Sequence, residues 1–175
     1  MELTSLSAAA TFAFGHALGT VLQSGDFVGL TGQLGAGKTL FSRGVAEGAG
    51  VPIDDVSSPT YSIIQSYQGR LRLHHVDLYR LTSEADLYST GFHELLEGEG
   101  AFLVEWIDQI QGAAPDDLLR ITIEVTSPEA RKLVVTTTGP KSEALLARWT
   151  PVPSPPGGEG QGEGDHFRGW GASSR

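Results

Sequence analysis

Neither cysteine nor asparagine occurs anywhere in the 175 residues. The first absence excludes disulfides, thiolate zinc sites and cysteine nucleophiles together, and it fits a reducing cytoplasm. Positive charge is scarce too: 12 Lys and Arg stand against 21 Asp and Glu, for a formal net charge of −9. A broad basic face for a duplex or a tRNA backbone is not available, so any nucleic acid in this protein's biology is expected on a partner. No apolar run approaches the roughly 20 residues of a membrane span. The opening "MELTSLSAAATFAFGHALG" carries Glu2 and neither Lys nor Arg, unlike the basic-then-apolar pattern of a signal peptide. A cytoplasmic protein with no membrane attachment is expected.

Hydrophobic residues make up 39% of the chain, enough for one core of ordinary size. We therefore expect a single domain over residues 1–150. After Thr150 the composition shifts abruptly to "PVPSPPGGEGQGEGDHFRGWGASSR", nearly half Gly and Pro. Such a segment buries too little apolar surface to offset its ordering entropy, so residues 151–175 are expected to be a disordered tail.

Within the domain, Ala10, Phe14, Ala17, Leu18, Val21 and Leu22 recur at helical spacing, predicting an amphipathic helix over Ser7 to Leu22 with Gly25 as a stop. "DFVGLT" reads as a short buried strand and Lys38 to Ala49 as a helix, closed by Gly50 and Pro52. "YSIIQSY" and "RLRLHHVDLY", joined at Gln68-Gly69, predict a hairpin. The period of two in its second strand puts Leu71, Leu73, His75, Asp77 and Tyr79 on one face and His74 on the other. Ser83 to Ser89 reads as a capped helix, "AFLVEW", "LLRITIEV" and "RKLVVTTT" as strands, and Lys141 to Trp149 as a last helix. The strand "DFVGLT", the segment after it and the helix that follows make a strand, glycine-loop, helix unit.

Between the first strand and its helix lies "GQLGAGKT". Gly32-x-x-x-x-Gly37-Lys38-Thr39 fits the P-loop, where glycines let successive backbone N–H groups converge on phosphate oxygens. The helix that follows adds its N-terminal dipole. The candidate nucleotide contacts are Gly32, Gln33, Leu34, Gly35, Ala36, Gly37, Lys38, Thr39 and Leu40. Lys38 would neutralise the β and γ phosphates, and the Thr39 hydroxyl would take one position on Mg²⁺. An acid must complete that metal shell. Glu105 ends the apolar run of "AFLVEW", Asp77 ends "HHVD", and Asp108 is a weaker rival three residues past the strand. Lys38, Asp77 and Glu105 are the candidate catalytic groups, and Thr39, Asp77 and Glu105 the candidate metal ligands. His75 is read either as orienting Asp77 or a water, or as a structural histidine. In the Pro-bearing turn "SSPTY", Thr60 either reaches the γ-phosphate or caps its own backbone. Trp106 is expected to wall the site beside Glu105.

The missing asparagine now discriminates, because the Asn-Lys-x-Asp element that reads guanine in regulatory GTPases cannot be present. A small-molecule kinase needs an acceptor pocket and lid arginines, and no lid-like insertion stands between Arg80 and Glu105. Arg43 and Arg80 are weak candidates for an arginine finger. Three readings remain: a slow ATPase whose states serve another protein, a nucleotide-gated assembly factor with negligible hydrolysis, and, behind these, a kinase.

"GQLGAGKT", "SPTY", "HHVDLYR" and "LVEW", in this order and at these intervals over roughly Leu18 to Ile123, closely resemble the bacterial TsaE (YjeE) family of small P-loop ATPases. The resemblance implies an α/β, P-loop NTPase-like three-layer fold with a mostly parallel central sheet and antiparallel additions. It also implies a role in tRNA threonylcarbamoyladenosine synthesis, with ATP and Mg²⁺ as cofactors and the TsaD–TsaB complex as partner. It assigns Lys38 and Thr39 to the loop, Thr60 to the Ser-Pro-Thr turn, Asp77 to the His-x-Asp-Leu-Tyr-Arg run, and Glu105 with Trp106 to the strand end, with Asp77 and Glu105 sharing metal coordination and placement of the attacking water. Two positions depart from the family: Gln33 stands where an acid is usual, and Leu40 where a second threonine is usual. The loss of that threonine's hydroxyl is expected to weaken nucleotide affinity or alter the pace of hydrolysis.

Overall fold

A computed structural model describes residues 1–52, 54, 56 and 62–150. The turn containing Thr60 and the expected tail lie outside the described residues. The chain runs β1 (Glu2–Ser5), α1 (Ala8–Val21), β2 (Phe27–Thr31), α2 (Lys38–Gly48), β3 (Ile64–Gln68), β4 (Arg72–Asp77), α3 (Glu84–Ser89), α4 (Phe92–Leu96), β5 (Ala101–Glu105), β6 (Leu119–Val125), β7 (Arg131–Thr137) and α5 (Pro140–Arg148).

All seven strands join one sheet in the order β1-β7-β6-β2-β5-β4-β3. The central strands β6, β2, β5 and β4 are parallel, while β7, β1 and β3 are added antiparallel at the two sides. Alternate residues of the buried strands feed two cores. Ala101 and Leu103 of β5, Val28 and Leu30 of β2 and Leu73 of β4 face Phe14, Leu18, Val45, Leu145 and Trp149 of the layer built by α1, α2 and α5. Phe102 and Val104 face Leu87, Phe92, Ile107 and Leu118 on the other side. That alternation gives the three layers expected. It also directs His75, Asp77 and Glu105, which share the parity of Leu73 and Leu103, toward α2.

On that side α1 and α2 meet backbone to backbone at four glycines. Gly15 and Gly19 of α1 lie against α2 so closely that a Cβ would fall on the carbonyl oxygens of Phe41 and Val45. Gly44 and Gly48 of α2 lie reciprocally on the carbonyls of Phe12 and His16. Each glycine costs about 1 kcal/mol of helix propensity against alanine, and the backbone contact is what offsets it. The spacing of Ala10, Ala17 and Val21 therefore understated the packed face of α1. Thr11, Phe14, Gly15, Leu18 and Gly19 are the buried set, and the other three are half-buried.

Both ends of α1 are satisfied. The Ser7 side chain accepts from Ala10 N at 3.1 Å. No basic residue occupies the last turn. Instead Arg70 Nη2, from the β3–β4 turn, donates to the carbonyls of Gly19, Thr20 and Leu22 at 3.0, 3.1 and 3.0 Å. Among the described residues, no helix is long and apolar enough to cross a membrane.

In Gly19→Ala, a rigid backbone oxygen must move to admit one methyl group, so the variant should lose about 2 kcal/mol of stability despite its better helix propensity. Thermal unfolding should show the midpoint falling by roughly 4 to 8 °C for a domain of this size. A variant as stable as the parent would show that the helix contact can relax.

Candidate functional site

The parallel strands all end at one edge, which is where an open α/β sheet offers its crevice. Residues 32–37 leave β2 there and enter α2 through glycines in the left-handed region, with φ of 138° at Gly32, 78° at Gly35 and 108° at Gly37. Leu34 forms the tip of the loop and is 73% exposed. Gln33 is exposed and Ala36 buried. Lys38 and Thr39 open the helix, with Leu40 half-buried behind them.

Lys38 is buried, and its Nζ donates to the carbonyls of Gly32 and Gln33 at 2.7 and 3.0 Å. The same ammonium lies 3.6 Å from the centroid of the Trp106 ring. Burial lowers the Lys38 pKa, and the charges of Glu105, Asp77 and Asp108 oppose that shift. Trp106 has a φ of 61°, a left-handed backbone costly for a bulky residue, and its ring also packs on Tyr79 at 5.0 Å. The tryptophan thus walls the site beside Glu105, as expected, and additionally covers the lysine.

Glu105 ends β5 and is 1% exposed. Thr39 Oγ1 donates to its Oε2 at 3.0 Å and Ser42 Oγ to its Oε1 at 2.8 Å, both from α2. His75 Nε2, from β4, lies 2.9 Å from Oε1. Burial acts to raise the Glu105 pKa, but the hydrogen bonds from His75, Ser42 and Thr39 together with the His75 interaction outweigh it, and the carboxyl is held below its ordinary value. Asp77 is Glu105's register partner on β4, is buried, and accepts from Tyr79 N at 3.0 Å. Asp108 lies on the surface.

His75 is accordingly a partner of Glu105: the glutamate side chain of the neighbouring strand reaches its ring. His74, on the opposite face, is structural. Its Nε2 faces the Glu99 carbonyl at 3.2 Å, its Nδ1 faces Ser66 Oγ at 2.7 Å, and its ring stacks on Phe102. Ser42 was not singled out by the motif, although its position one turn after Lys38 on the same helix would have found it.

Two clefts flank the loop. One, of about 280 Å³, is lined by Lys38, Thr39, Asp77, Tyr79, Glu105 and Trp106 among others. Neither Arg43 nor Arg80 belongs to its described lining. The second, of about 530 Å³, shares Gly37 and Leu40 with the first and is walled by Ser7, Thr11, Pro128 and Arg131. Arg131 braces that wall: Nε donates to the carbonyl of Ala36 at 2.8 Å, and Nη1 to those of Ser127, Pro128 and Ala130 at 3.0, 3.2 and 2.9 Å. Nothing in the local sequence marks these residues, because only the sheet order brings the β6–β7 turn to the P-loop.

Among the described residues, no group of three or more His, Asp or Glu side chains forms a metal cage. A Mg²⁺ carried with a nucleotide would keep waters and phosphate oxygens and need only one or two protein ligands. The Thr39 hydroxyl and Glu105 Oε2 adjoin each other, with Asp77 on the next strand, and these oxygens fit such an ion.

The family model for "Threonylcarbamoyl adenosine biosynthesis protein TsaE" matches residues 5–133. The chain is 36% identical over 135 residues to the tRNA threonylcarbamoyladenosine biosynthesis protein TsaE of Treponema pallidum, covering 77% of this chain and 99% of that one. It is 40% identical over 122 residues to the protein of the same name from Bacillus subtilis, covering 69% and 75%. The crystal structure of Bacillus subtilis YdiB superposes with a TM-score of 0.71 at 30% identity, covering 85% of this chain and 93% of that one. With the P-loop, the strand-end carboxylates and the sheet order already in place, these matches make the chain a member of the TsaE family.

Proposed function

We propose that this chain is a cytoplasmic Mg²⁺-dependent ATPase that supports the TsaD–TsaB complex in forming threonylcarbamoyladenosine on tRNA. The observation that carries the reading is the buried carboxylate of Glu105, fastened to α2 through Thr39 and Ser42 at the strand edge where the P-loop lysine stands. Membership of the TsaE family supports the pathway.

In this reading the first cleft takes the β and γ phosphates of ATP. Lys38 exchanges its loop carbonyls for phosphate oxygens, since an ammonium held by neutral acceptors gains more from anions. Thr39 contributes its hydroxyl to the metal shell, and Glu105 and Asp77 share the remaining protein ligand position and the placement of a water. When bound, Mg²⁺ neutralises charge that builds on the phosphates. The second cleft, across Gly37 and Leu40, takes the nucleoside, with Ser7, Thr11 and Pro128 around it. Leu40 offers no hydroxyl at the junction between the two clefts.

Turnover by the chain alone is slow in this scheme, because no arginine lines the described part of the phosphate cleft. The partner complex supplies what is missing. Contact with tRNA falls to that complex as well, in keeping with the net charge of −9.

Lys38→Ala should weaken ATP binding by about one hundredfold in calorimetric titration, the scale of a lost charge-assisted contact of about 3 kcal/mol. Glu105→Gln keeps the shape of the side chain, so nucleotide binding should persist while phosphate release falls by about one hundredfold. Turnover equal to the parent's would remove Glu105 from the chemistry. Adding an equimolar TsaD–TsaB pair should raise turnover by the parent chain and leave Lys38→Ala inactive. No rise with a competent pair would count against a partner-timed ATPase, and ADP formation dependent on a small acceptor would favour a kinase.

A further inference from the structure

The carboxylate of Glu105 is not held symmetrically. Oε1 faces two donors, Ser42 Oγ at 2.8 Å and His75 Nε2 at 2.9 Å, whereas Oε2 faces Thr39 Oγ1 at 3.0 Å. A carboxylate offers about four lone-pair directions, so the oxygen with fewer donors keeps the capacity for another partner. That oxygen is the one beside the Thr39 hydroxyl.

We propose that His75 is a positioning residue for Glu105, donating from Nε2–H to Oε1 and so leaving Oε2 as the oxygen that faces the phosphate cleft. The inference rests on the reading of Glu105 as a metal-shell carboxylate.

Three observations carry it. The His75 ring is 1% exposed in the middle of β4, so its orientation is set by packing and not by solvent. Its Nδ1 has no hydrogen-bond partner among the described residues, which leaves Nε2 as the ring's polar link, and that link goes to Glu105. An ionised carboxylate has no proton to give, so the nitrogen that meets it must carry one. Ser42 and Thr39 both reach the carboxylate from α2, so those two hydrogen bonds refer its position to that helix alone. A donor from β4 ties Oε1 to the sheet as well, on a different element. The arrangement resembles the outer partners that orient ligands around metals, whose loss commonly costs about 10- to 100-fold in affinity or activity.

The test compares the parent chain with His75→Phe, which keeps a ring of similar volume and removes the donor, and with His75→Gln, which retains an N–H of similar reach. Thermal unfolding checks that each is folded. Affinity for a non-hydrolysable ATP analogue is then measured with and without Mg²⁺, alongside kcat and KM. For His75→Phe, the metal-free affinity should stay within about threefold of the parent while the gain produced by Mg²⁺ and the kcat each fall by about tenfold or more. His75→Gln should recover part of both. In the nucleotide-free and metal-free parent, nitrogen-15 spectra should show the His75 ring proton on Nε2, hydrogen-bonded and slow to exchange, and Glu105→Gln should shift it.

A folded His75→Phe with the parent's Mg²⁺ gain and kcat would overturn the proposal. So would a His75 ring lacking a proton on Nε2. A parent chain with no Mg²⁺ gain and no turnover would instead defeat the functional reading, and the ring-proton signal would then decide the His75–Glu105 link by itself.

Discussion

A carboxylate with 1% of its residue surface exposed is tolerable only when its oxygens are met by donors, and the demands of Glu105 organise the functional end of this protein. Its donors come from two elements that are far apart in the chain. Thr39 and Ser42 ride on α2, one turn apart on one face, and His75 stands on β4. For all three to converge, β4 and β5 must pair in the register that sets Asp77 beside Glu105, and α2 must lie at one depth over the sheet. The alternation of Leu73, His75 and Asp77 with His74 and Val76 supplies the first condition. The reciprocal glycine contacts between α1 and α2 supply the second.

The lysine completes this arrangement from the opposite sign. Lys38 stands among the fields of Glu105, Asp77 and Asp108 yet spends its hydrogen bonds on loop carbonyls and its exposed side on the Trp106 ring. Burial and attraction act on it in opposition, with burial prevailing. The strained backbone of Trp106 places the indole where it shields that balance from water. Trp106 follows Glu105 directly in the chain, so the turn that ends β5 positions the acid and the cover of the base together.

Much of this was legible because it is local. The P-loop spacing, the helix that follows it, and the acid closing an apolar strand are properties of short segments, and each lies where its segment predicts. The hairpin parity that puts His75 and Asp77 on one face was equally readable. What escaped depends on contacts between distant segments. Glu2–Ser5 is too short and mixed to declare itself a strand and becomes one by pairing with β7. Phe92–Leu96 is a single turn and a half with no periodic signal. The partner of His75 could not be read from β4 alone, since it stands on β5, and the second cleft joins the start of α1 to the β6–β7 turn only through the sheet order. The glycines of α1 and α2 were visible as residues, but their use appears only when the helices are placed against each other.

That glycine contact has a mechanical consequence. An interface lined by side chains can absorb small displacements by changing rotamers, whereas one that sets backbone carbonyls against glycine Cα atoms has no such compliance. The start of α1 is thereby held to the start of α2 through backbone rather than through side chains. One wall of the second cleft, Ser7 and Thr11, is therefore built on the same backbone contact that sets the depth of Lys38 and Thr39.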